Sequence, residues 1–337
     1  MSNSDTHVEC AIVIVAYNSE LDIIKLLESL PAAGVGLTTR TIVVDNGSSD
    51  ATIDLVRGHA GVTCVATGAN LGYAGGINVG RRQAGEYSAL LVLNPDVILG
   101  PGAIREMVSA LHDPTVGIVA PRLLNRQGEW FPSLRRFPTL ARAVGDGLLG
   151  RRLGRRPGGL SETIWQRESY ELQHPVDWAT GAALLVSAAC DRAVGPWDEQ
   201  FFLYSEETDY AVRARNAGFR MEYVPTARVF HDGGGSGQSA ALTALMAISR
   251  VRYIEKHGRW PLAYWAALIV AEFLRSGDPG HRTALKMLLR KSRWLSLVVD
   301  LRDSSATESR VKSSVPRISG HGGYPTVMSA QEGSGKP

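Results

Sequence analysis

The chain has 337 residues, of which 44% are hydrophobic, and a formal net charge of +3. This length suffices for one large α/β domain with appendages, and the charge is too small to indicate nucleic-acid binding, which requires a dense stripe of Lys and Arg. Three scattered cysteines, an N-terminus unlike a secretory signal and no apolar run of about 20 residues together predict a cytoplasmic protein.

The first third of the chain alternates short β-branched runs with helical patterns, which is typical of βα units and a largely parallel sheet. The predicted strands are Cys10–Ala16, Arg40–Val44, Val62–Ala66, Ala89–Leu93 and Val116–Ala120. The predicted helices are Glu20–Leu30, Ala51–Gly58, Gly75–Ala84 and Gly102–Leu111. We therefore expect a doubly wound α/β sheet flanked by helices, with its site at the carboxyl ends of the strands.

The remainder is less regular. The segment Arg122–Arg167 loses periodicity and holds seven arginines between Arg135 and Arg156, and we interpret it as a mobile insertion. Regular patterns then predict an ordered segment at Val176–Val186 and a helix at Glu206–Ala217. They also predict two short strands, at Phe219–Tyr223 and Ala227–Phe230. We place the catalytic domain at 8–235, with a nucleotide half at 8–120 and an acceptor half at 121–235, a helical extension at 236–300 and a disordered tail at 301–337.

The ends of the first two predicted strands carry polar and aromatic residues. Ala16-Tyr17-Asn18 ends the first, and the second runs into Asp45-Asn46-Gly47. These ends are neighbours in a doubly wound sheet, so Asp45 could accept hydrogen bonds from a nucleoside while Tyr17 offers a ring face. An ordinary turn followed by a helix cap is the alternative.

A glycine-rich segment, Asn70–Asn78, opens the next helix. Its backbone N–H groups could approach a diphosphate at the positive end of that helix. A glycine-rich turn is common in proteins, so this signal alone is weak.

Asp96 and His231 are candidate metal ligands. Asn94-Pro95-Asp96 follows an apolar strand, and one or two carboxylates suffice for a hard cation when a diphosphate supplies the other oxygens. His231 ends a short β run before a glycine-rich loop. The alternatives are a strand-ending turn and a structural histidine.

Three acids, Glu206, Glu207 and Asp209, follow an aromatic run. Acids in the first turn of a helix gain only about 0.3–1 kcal/mol from the helix dipole. Three neighbouring carboxylates repel one another, which raises at least one pKa and is a way of tuning a general base.

Taken in order, these motifs resemble the family 2 glycosyltransferases, which have the GT-A fold. The motifs that match are Val15–Asn18, Val44–Asp50, Asn70–Asn78, Asn94–Asp96 and Tyr204–Asp209 through Arg213 and Gly218. Bacterial rhamnosyltransferases of cell-wall linkers and surface polysaccharides are the most similar subgroup. The resemblance implies an inverting transfer of a sugar, rhamnose from dTDP-rhamnose in that subgroup, from a nucleotide-diphosphate donor to a saccharide or polyprenyl-linked acceptor.

The resemblance also implies roles for individual residues. Glu207, with Glu206 beside it, is the expected catalytic base, and Asp96 with His231 would bind Mg²⁺ or Mn²⁺. Ala16, Asp45 and Asn70 would hold the nucleotide. The other expected donor-binding residues are Tyr17, Asn18, Gly72, Gly75, Asn78, Asn94, Asp209 and Arg213.

Two departures from the family pattern stand out. The usual Asp-x-Asp is here Asn94-Pro95-Asp96, which lacks one carboxylate, and the usual Glu-Asp pair is Glu206-Glu207. They leave open a non-catalytic member that binds an acceptor lipid or a partner enzyme. A nucleotidyltransferase lacks support because no Gly-rich basic loop follows the first strand, and a nicotinamide-dependent oxidoreductase because the G-x-G-x-x-G pattern is absent.

The segment Trp260–Arg293 joins an apolar, Trp-containing run to a basic one. It is too short in apolar length to span a bilayer, and we expect it to lie peripherally on the inner face of the cell membrane. The alternative is a pair of helices that pack on the core.

Overall fold

The computed structural model describes residues 7–125, 127–149, 158–231 and 239–303. Its strands are β1 (Val8–Ala16), β2 (Thr39–Asp45), β3 (Val62–Ala66), β4 (Tyr87–Leu93), β5 (Val97–Leu99), β6 (Val116–Leu124), β7 (Leu134–Arg135), β8 (His174–Val176), β9 (Trp178–Ala179), β10 (Ala183–Ser187) and β11 (Arg220–His231). Its α-helices are α1 (Ile23–Ala33), α2 (Thr52–Arg57), α3 (Gly72–Gln83), α4 (Ala103–Ala110), α5 (Leu140–Leu149), α6 (Ala188–Val194), α7 (Glu206–Asn216), α8 (Ala240–His257), α9 (Pro261–Leu274), α10 (Pro279–Leu288) and α11 (Trp294–Asp303).

One sheet of nine strands organises the molecule, in the order β3-β2-β1-β4-β10-β6-β11-β5, with β8 also paired to β11. The β3-β2-β1-β4 portion and the β6–β11 pair are parallel, whereas β10 runs antiparallel to both of its neighbours. Because β10 is inserted antiparallel between β4 and β6, the ends of β1, β2, β4 and β11 share one edge of the sheet. The predicted mostly parallel α/β sheet is confirmed.

The strands bury both faces, as a sheet covered by helices must. Along β1, Ala11, Val13 and Val15 contribute to the core that contains α3, α7 and α8, while Ile12 and Ile14 contribute to the core under α1 and α4. The two-residue period of a strand explains this division. The carboxyl edge between the two cores is where the polar motifs lie.

The segment Arg122–Arg167, interpreted above as a mobile insertion, is ordered wherever it is described. It contains the end of β6, then β7 and α5. Leu134, Phe137 and Ile164 are buried in the core and anchor it. Their irregular spacing gives neither a helical nor a strand period, which is why the sequence pattern missed them. Residues 126 and 150–157 lie outside the described ranges.

Two smaller predictions also change. Val176–Val186 comprises three short strands, β8, β9 and the start of β10. The two strands predicted around residue 225 form one, β11, with a register irregularity between Val224 and Arg228. Pro225 falls at this irregularity, where its missing N–H is tolerated. Most of the predicted disordered tail, 304–337, lies outside the described residues.

The C-terminal helices α8, α9 and α10 share a hydrophobic core with α3 and α7. Leu245, Ile248 and Val251 of α8, Leu268 of α9 and Leu288 of α10 belong to the same core as α3 and α7. Within the part of the chain that the structure describes, no helix combines the length and apolarity that crossing a bilayer would require.

Candidate active site

The ends of β1 and β2 meet as expected. Ala16 pairs with Asp45 across the two parallel strands, and the Asn46 N–H donates to the Ala16 carbonyl at 2.8 Å. Asp45 is buried; its Oδ2 accepts from the Ser48 N–H at 3.2 Å. Its Oδ1 is buried without a partner among the described residues. This oxygen is therefore available to a ligand hydroxyl or N–H.

Asn18 ties these two loops together. Its backbone is left-handed, with φ of 50°, which asparagine tolerates better than most residues. Its N–H donates to Ser48 Oγ at 2.9 Å, and its Oδ1 accepts from the Ser49 N–H at 2.8 Å. Asn18 thus shapes the loop beside Asp45, while Tyr17 lies half-buried at the same edge.

The glycine-rich loop does not present its amides to a diphosphate. The N–H groups of Leu71, Gly72 and Tyr73 donate to Asn46 Oδ1, Asn70 Oδ1 and the Phe202 carbonyl at 3.1, 3.0 and 2.8 Å. These are the amides that would face an anion at the start of α3. The expectation of a phosphate cradle at these groups does not fit this hydrogen bonding.

The small residues of this loop allow close packing instead. Gly72 has φ of +78°, and a Cβ there would collide with the Phe202 carbonyl, while a Cβ on Gly75 would lie 2.8 Å from Leu71 Cβ. Asn78 is buried deeper in α3, where it donates to and accepts from the backbone of Trp197 at 2.9 Å each. The loop therefore fastens α3 to the segment before the acid cluster.

Asp96 and His231 come together from distant parts of the chain. β5 pairs with the end of β11, His231 opposite Val97, so Asp96 Oδ2 lies 3.4 Å from His231 Nε2. Asp96 Oδ1 and His231 Nδ1 are buried without partners among the described residues. Asn94, on the same turn, donates its N–H to the Ala182 carbonyl at 2.9 Å.

These two side chains fit a divalent cation only in part. Within the described ranges, no group of three or more His, Cys, Asp or Glu side chains is placed to hold a metal ion. A carboxylate and an imidazole would supply two ligands, and the remaining positions would have to be filled by donor oxygens and water. Residues 232–238, which follow His231, lie outside the described ranges.

The acid cluster starts α7 on strained backbone. Tyr204 and Ser205 have φ of 70° and 67°. Together with Asn18 they are the only non-glycine residues with positive φ in the described part of the chain, and such outliers concentrate at functional sites. The bend turns the side chains of Glu206 and Glu207 into the interior, where Oε2 of each lacks a hydrogen-bond partner in the described structure.

The two glutamates differ in their surroundings. Burial raises the pKa of Glu207 to about 6, an effect opposed by its own backbone N–H, by the Arg135 cation and by the Gly181 N–H. Burial and the charge of Glu207 raise the pKa of Glu206 well above its ordinary value. Glu207 is therefore the more acidic of the two carboxyls, and a difference of this kind between neighbouring acids is typical of acid–base sites.

The loop between β9 and β10 forms the wall next to Glu207. A Cβ on Gly181 would lie 3.7 Å from the Glu207 side chain, and the Gly181 carbonyl accepts from the Tyr73 hydroxyl at 3.1 Å. Tyr73 thus connects the glycine-rich loop with the acid cluster. Sequence reasoning missed Tyr73, Gly181 and Arg135 as site residues, although Arg135 belongs to the noted basic segment.

Asp209 and Arg213 are accounted for by contacts within the protein. Asp209 Oδ1 accepts from Lys256 Nζ at 2.6 Å and from His257 Nε2 at 2.7 Å, and its Oδ2 accepts from Arg213 Nε at 2.8 Å. Asp209 is fully buried. The structure therefore brings these two residues together as a link from α7 to α8, and we do not include them in the proposed donor site.

Known proteins resemble this chain in sequence and in fold. The profile of glycosyl transferase family 2 matches residues 11–168. The N-acetylglucosaminyl-diphospho-decaprenol L-rhamnosyltransferase of Mycobacterium tuberculosis H37Rv is 32% identical over 265 residues, which cover 74% of this chain and 85% of that protein. Rhamnosyltransferase WbbL of Escherichia coli K12 is 26% identical over 227 residues, covering 65% and 82%.

Two solved structures share the fold. Mannosyltransferase PcManGT from Pyrobaculum calidifontis, in complex with GDP-Man and Mn²⁺, superposes with a TM-score of 0.50 at 16% identity, covering 88% of this chain and 87% of that one. GalNAc-T7 with UDP, GalNAc and Mn²⁺ gives 0.54 at 12% identity, covering 92% and 58%. The expected GT-A fold is confirmed.

Proposed function

The chain belongs to glycosyl transferase family 2 and is a glycosyltransferase, and on that premise we propose that it transfers L-rhamnose from dTDP-rhamnose, with inversion, to a saccharide carried on a lipid diphosphate. The acceptor follows the name of the mycobacterial relative, and the sugar follows both rhamnosyltransferase relatives. Family membership removes the oxidoreductase and nucleotidyltransferase alternatives.

The observation that carries the proposal is the set of unsatisfied polar atoms at the carboxyl edge. Within the described chain, eleven buried side-chain nitrogen or oxygen atoms lack a hydrogen-bond partner. Six of them belong to residues that the sequence singled out: one is Arg213, and the other five are Asp45, Asp96, Glu206, Glu207 and His231. Buried polar groups without partners cost free energy, so their concentration supports a ligand site. One carboxylate oxygen of Glu206 and one of Glu207 lack a partner, which supports a catalytic protein over a non-catalytic one.

On the donor side, Asp45 would bind the nucleoside through its free Oδ1, next to the Tyr17 ring. Asp96 and His231 would hold a Mg²⁺ or Mn²⁺ ion, which when bound supplies positive charge to the leaving diphosphate. The protein contributes a carboxylate and an imidazole that already lie 3.4 Å apart.

On the acceptor side, Glu207 would accept the proton of the attacking hydroxyl. A pKa of about 6 leaves the carboxylate ionised at neutral pH yet basic enough to take a proton. The acceptor oxygen forms the new bond to the anomeric carbon as the bond to the diphosphate breaks. A single base on the side away from the leaving group, with no covalent nucleophile, gives inversion.

We propose in addition that the C-terminal helices rest on an anionic membrane surface. On α9, Leu262, Val270 and Phe273 are exposed, on the side of the helix opposite the buried Tyr264 and Leu268. An apolar helix face of this kind marks an interaction surface. Exposed basic residues in the same segment suit anionic lipid headgroups, namely Arg259, Arg282, Lys286, Arg290 and Arg293.

The function is tested with a donor panel and a lipid-linked acceptor. We expect dTDP-rhamnose to release nucleotide faster than UDP- or GDP-sugars when an N-acetylglucosaminyl diphosphate acceptor and Mg²⁺ or Mn²⁺ are present. NMR of the product should show an anomeric configuration opposite to that of the donor. A retained configuration would refute the single-base mechanism, and preference for another donor would refute the choice of rhamnose.

A further inference from the structure

Arg135 is a cation without an ionic partner beside the proposed base. Its Nη1 donates to the carbonyls of Pro132 and Leu134, and it forms no ion pair with any described residue. Burial lowers the pKa of Arg135, and the effect is opposed by Tyr170, Glu162, Glu207 and Asp146 in that order. Arg135 therefore lies within electrostatic reach of the proposed base.

The backbone places Arg135 there. β7 pairs with β9, Arg135 opposite Trp178, and the Ser133 carbonyl accepts from the Thr180 N–H at 3.0 Å. The next residue, Gly181, lies against Glu207. The small β7–β9 sheet thus borders the acceptor side. Among the described residues only Nη1 of the Arg135 guanidinium donates to the protein, so its other N–H groups can bind a ligand.

The charge balance changes during the proposed reaction. Before transfer, ionised Glu207 partly compensates the Arg135 cation. When Glu207 takes the acceptor proton it becomes neutral, and Arg135 loses the part of its counter-charge that Glu207 supplied, while Glu162 and Asp146 remain. Loss of a counter-charge beside a partly buried cation is costly, so an anion on the substrate would stabilise the site at the stage when the proton has moved.

We propose that Arg135 binds the phosphate next to the acceptor sugar, and that it thereby selects phosphorylated saccharides over neutral glycans. The inference rests on the proposed function, because it assumes that Glu207 faces the acceptor. Guanidinium pairs with phosphate through two parallel hydrogen bonds. In a monosaccharide linked to a lipid diphosphate, this phosphate is only one sugar ring away from the hydroxyl that attacks.

The test compares two acceptors that differ only in phosphate, octyl N-acetylglucosaminyl diphosphate and octyl N-acetylglucosaminide. Wild-type enzyme should prefer the diphosphate about 10- to 100-fold in kcat/KM, the value of a charge-assisted hydrogen bond. Arg135→Gln should remove this preference, mainly by raising KM for the diphosphate. Arg135→Lys should restore part of it.

Arg136→Gln is the matched control. Arg136 is the adjacent residue, and the charged groups that most affect its pKa are Arg142 and Asp177 rather than the site acids. It should leave the preference unchanged. Thermal unfolding of each variant shows whether it is folded, and the wild-type comparison of the two acceptors tests the proposal even if Arg135→Gln does not fold.

The outcomes distinguish failure of phosphate recognition by Arg135 from failure of the proposed function. Equal wild-type rates with both acceptors, or an equal loss with both in Arg135→Gln, would overturn phosphate recognition while leaving the glycosyltransferase mechanism intact. An equal loss together with a higher pKa for the pH–rate profile would show that Arg135 only tunes Glu207. Absence of transfer to either acceptor by enzyme that binds the donor would overturn the lipid-linked acceptor itself.

Discussion

Replacing Glu207 by Gln should greatly slow catalysis and yet stabilise the protein at neutral pH. Burial raises the pKa of Glu207 from its ordinary 4.5 to about 6, so above pH 6 the native state contains a charged carboxylate that the unfolded chain solvates better. The difference, 6 − 4.5, is 1.5 and corresponds to about 2 kcal/mol at ~1.36 kcal/mol per pH unit. The amide has nearly the same shape without the charge, and it should recover up to that amount.

The pH dependence of unfolding shows whether the ionised Glu207 carboxylate stabilises or destabilises the native state. Below pH 4.5 the carboxyl is protonated in both states, and between 4.5 and about 6 the native state binds the extra proton. Wild-type stability attributable to Glu207 therefore falls as pH rises through this window. Urea unfolding of wild type and Glu207→Gln at pH 4.5 and pH 8 should show the variant gaining only at pH 8. Glu28→Gln, an exposed glutamate on α1, should gain at neither.

The rate provides the second half of the test. Removal of a general base should lower kcat by about 10²–10⁴ with donor affinity nearly unchanged, because the base acts only in the transition state. The wild-type rate should rise with pH through about 6, and this limb should be absent in Glu207→Gln. A variant that loses both activity and stability at pH 8 would contradict the base assignment. Full activity in Glu207→Gln with none in Glu206→Gln would move the base one residue upstream.

Three further predictions concern the metal, the membrane and the link to α8. Asp96→Ala should abolish turnover and Mg²⁺-dependent donor binding in calorimetry with little change in melting temperature, His231→Ala should weaken cation binding more mildly, and full activity after EDTA treatment would exclude the metal role. Leu262→Asp should reduce co-flotation with vesicles containing anionic lipid, compared with Leu172→Asp, an equally exposed leucine distant in sequence; equal flotation of both would refute the membrane surface. Asp209→Asn should destabilise the protein by about 1.5–3 kcal/mol in urea unfolding, because it weakens hydrogen bonds to Arg213, Lys256 and His257. A loss of kcat without loss of stability would instead favour a direct role for Asp209.

The elements of the donor half could be predicted because their patterns are local. Asp45 and Asp96 each follow a β-branched run, and topology alone brings strand ends to one edge. The partnership of Asp96 with His231 depends on β5, a strand of three residues that lies too close to the preceding turn to show a period. His231 was therefore identified only through the family resemblance and its place before a glycine-rich loop.

The acceptor side was less predictable, because its wall is built from pairings distant in sequence. β7 and β9 have two residues each and are more than 40 residues apart. Such short strands have no detectable alternation, so Arg135 was grouped with a basic insertion and Gly181 was not noticed. The phosphate cradle predicted at the glycine-rich loop does not fit the structure for the opposite reason. The sequence pattern of this loop is strong, but the Phe202 carbonyl that accepts from its Tyr73 N–H lies about 130 residues away in the sequence.

The strained start of α7 shows why the C-terminal helices belong to the catalytic unit. Left-handed backbone costs a non-glycine residue roughly 1–2 kcal/mol, and two such residues, Tyr204 and Ser205, precede Glu206. Contacts on both sides oppose relaxation of this bend. The Phe202 carbonyl accepts from α3, and the Leu203 carbonyl accepts from Ser249 Oγ of α8 at 2.9 Å.

Since Lys256 and His257 of α8 also bind Asp209 one turn further along α7, the position of the acid pair depends on residues beyond 236. The domain boundary that the sequence predicts between residues 235 and 236 reflects only a change in sequence pattern. We do not expect it to divide the protein into parts that work separately. Ser249→Ala should test this, because it removes only the hydroxyl that holds the bend. We expect kcat to fall while donor affinity stays constant, and an unchanged kcat would show that α3 alone is sufficient to hold the acid pair in place.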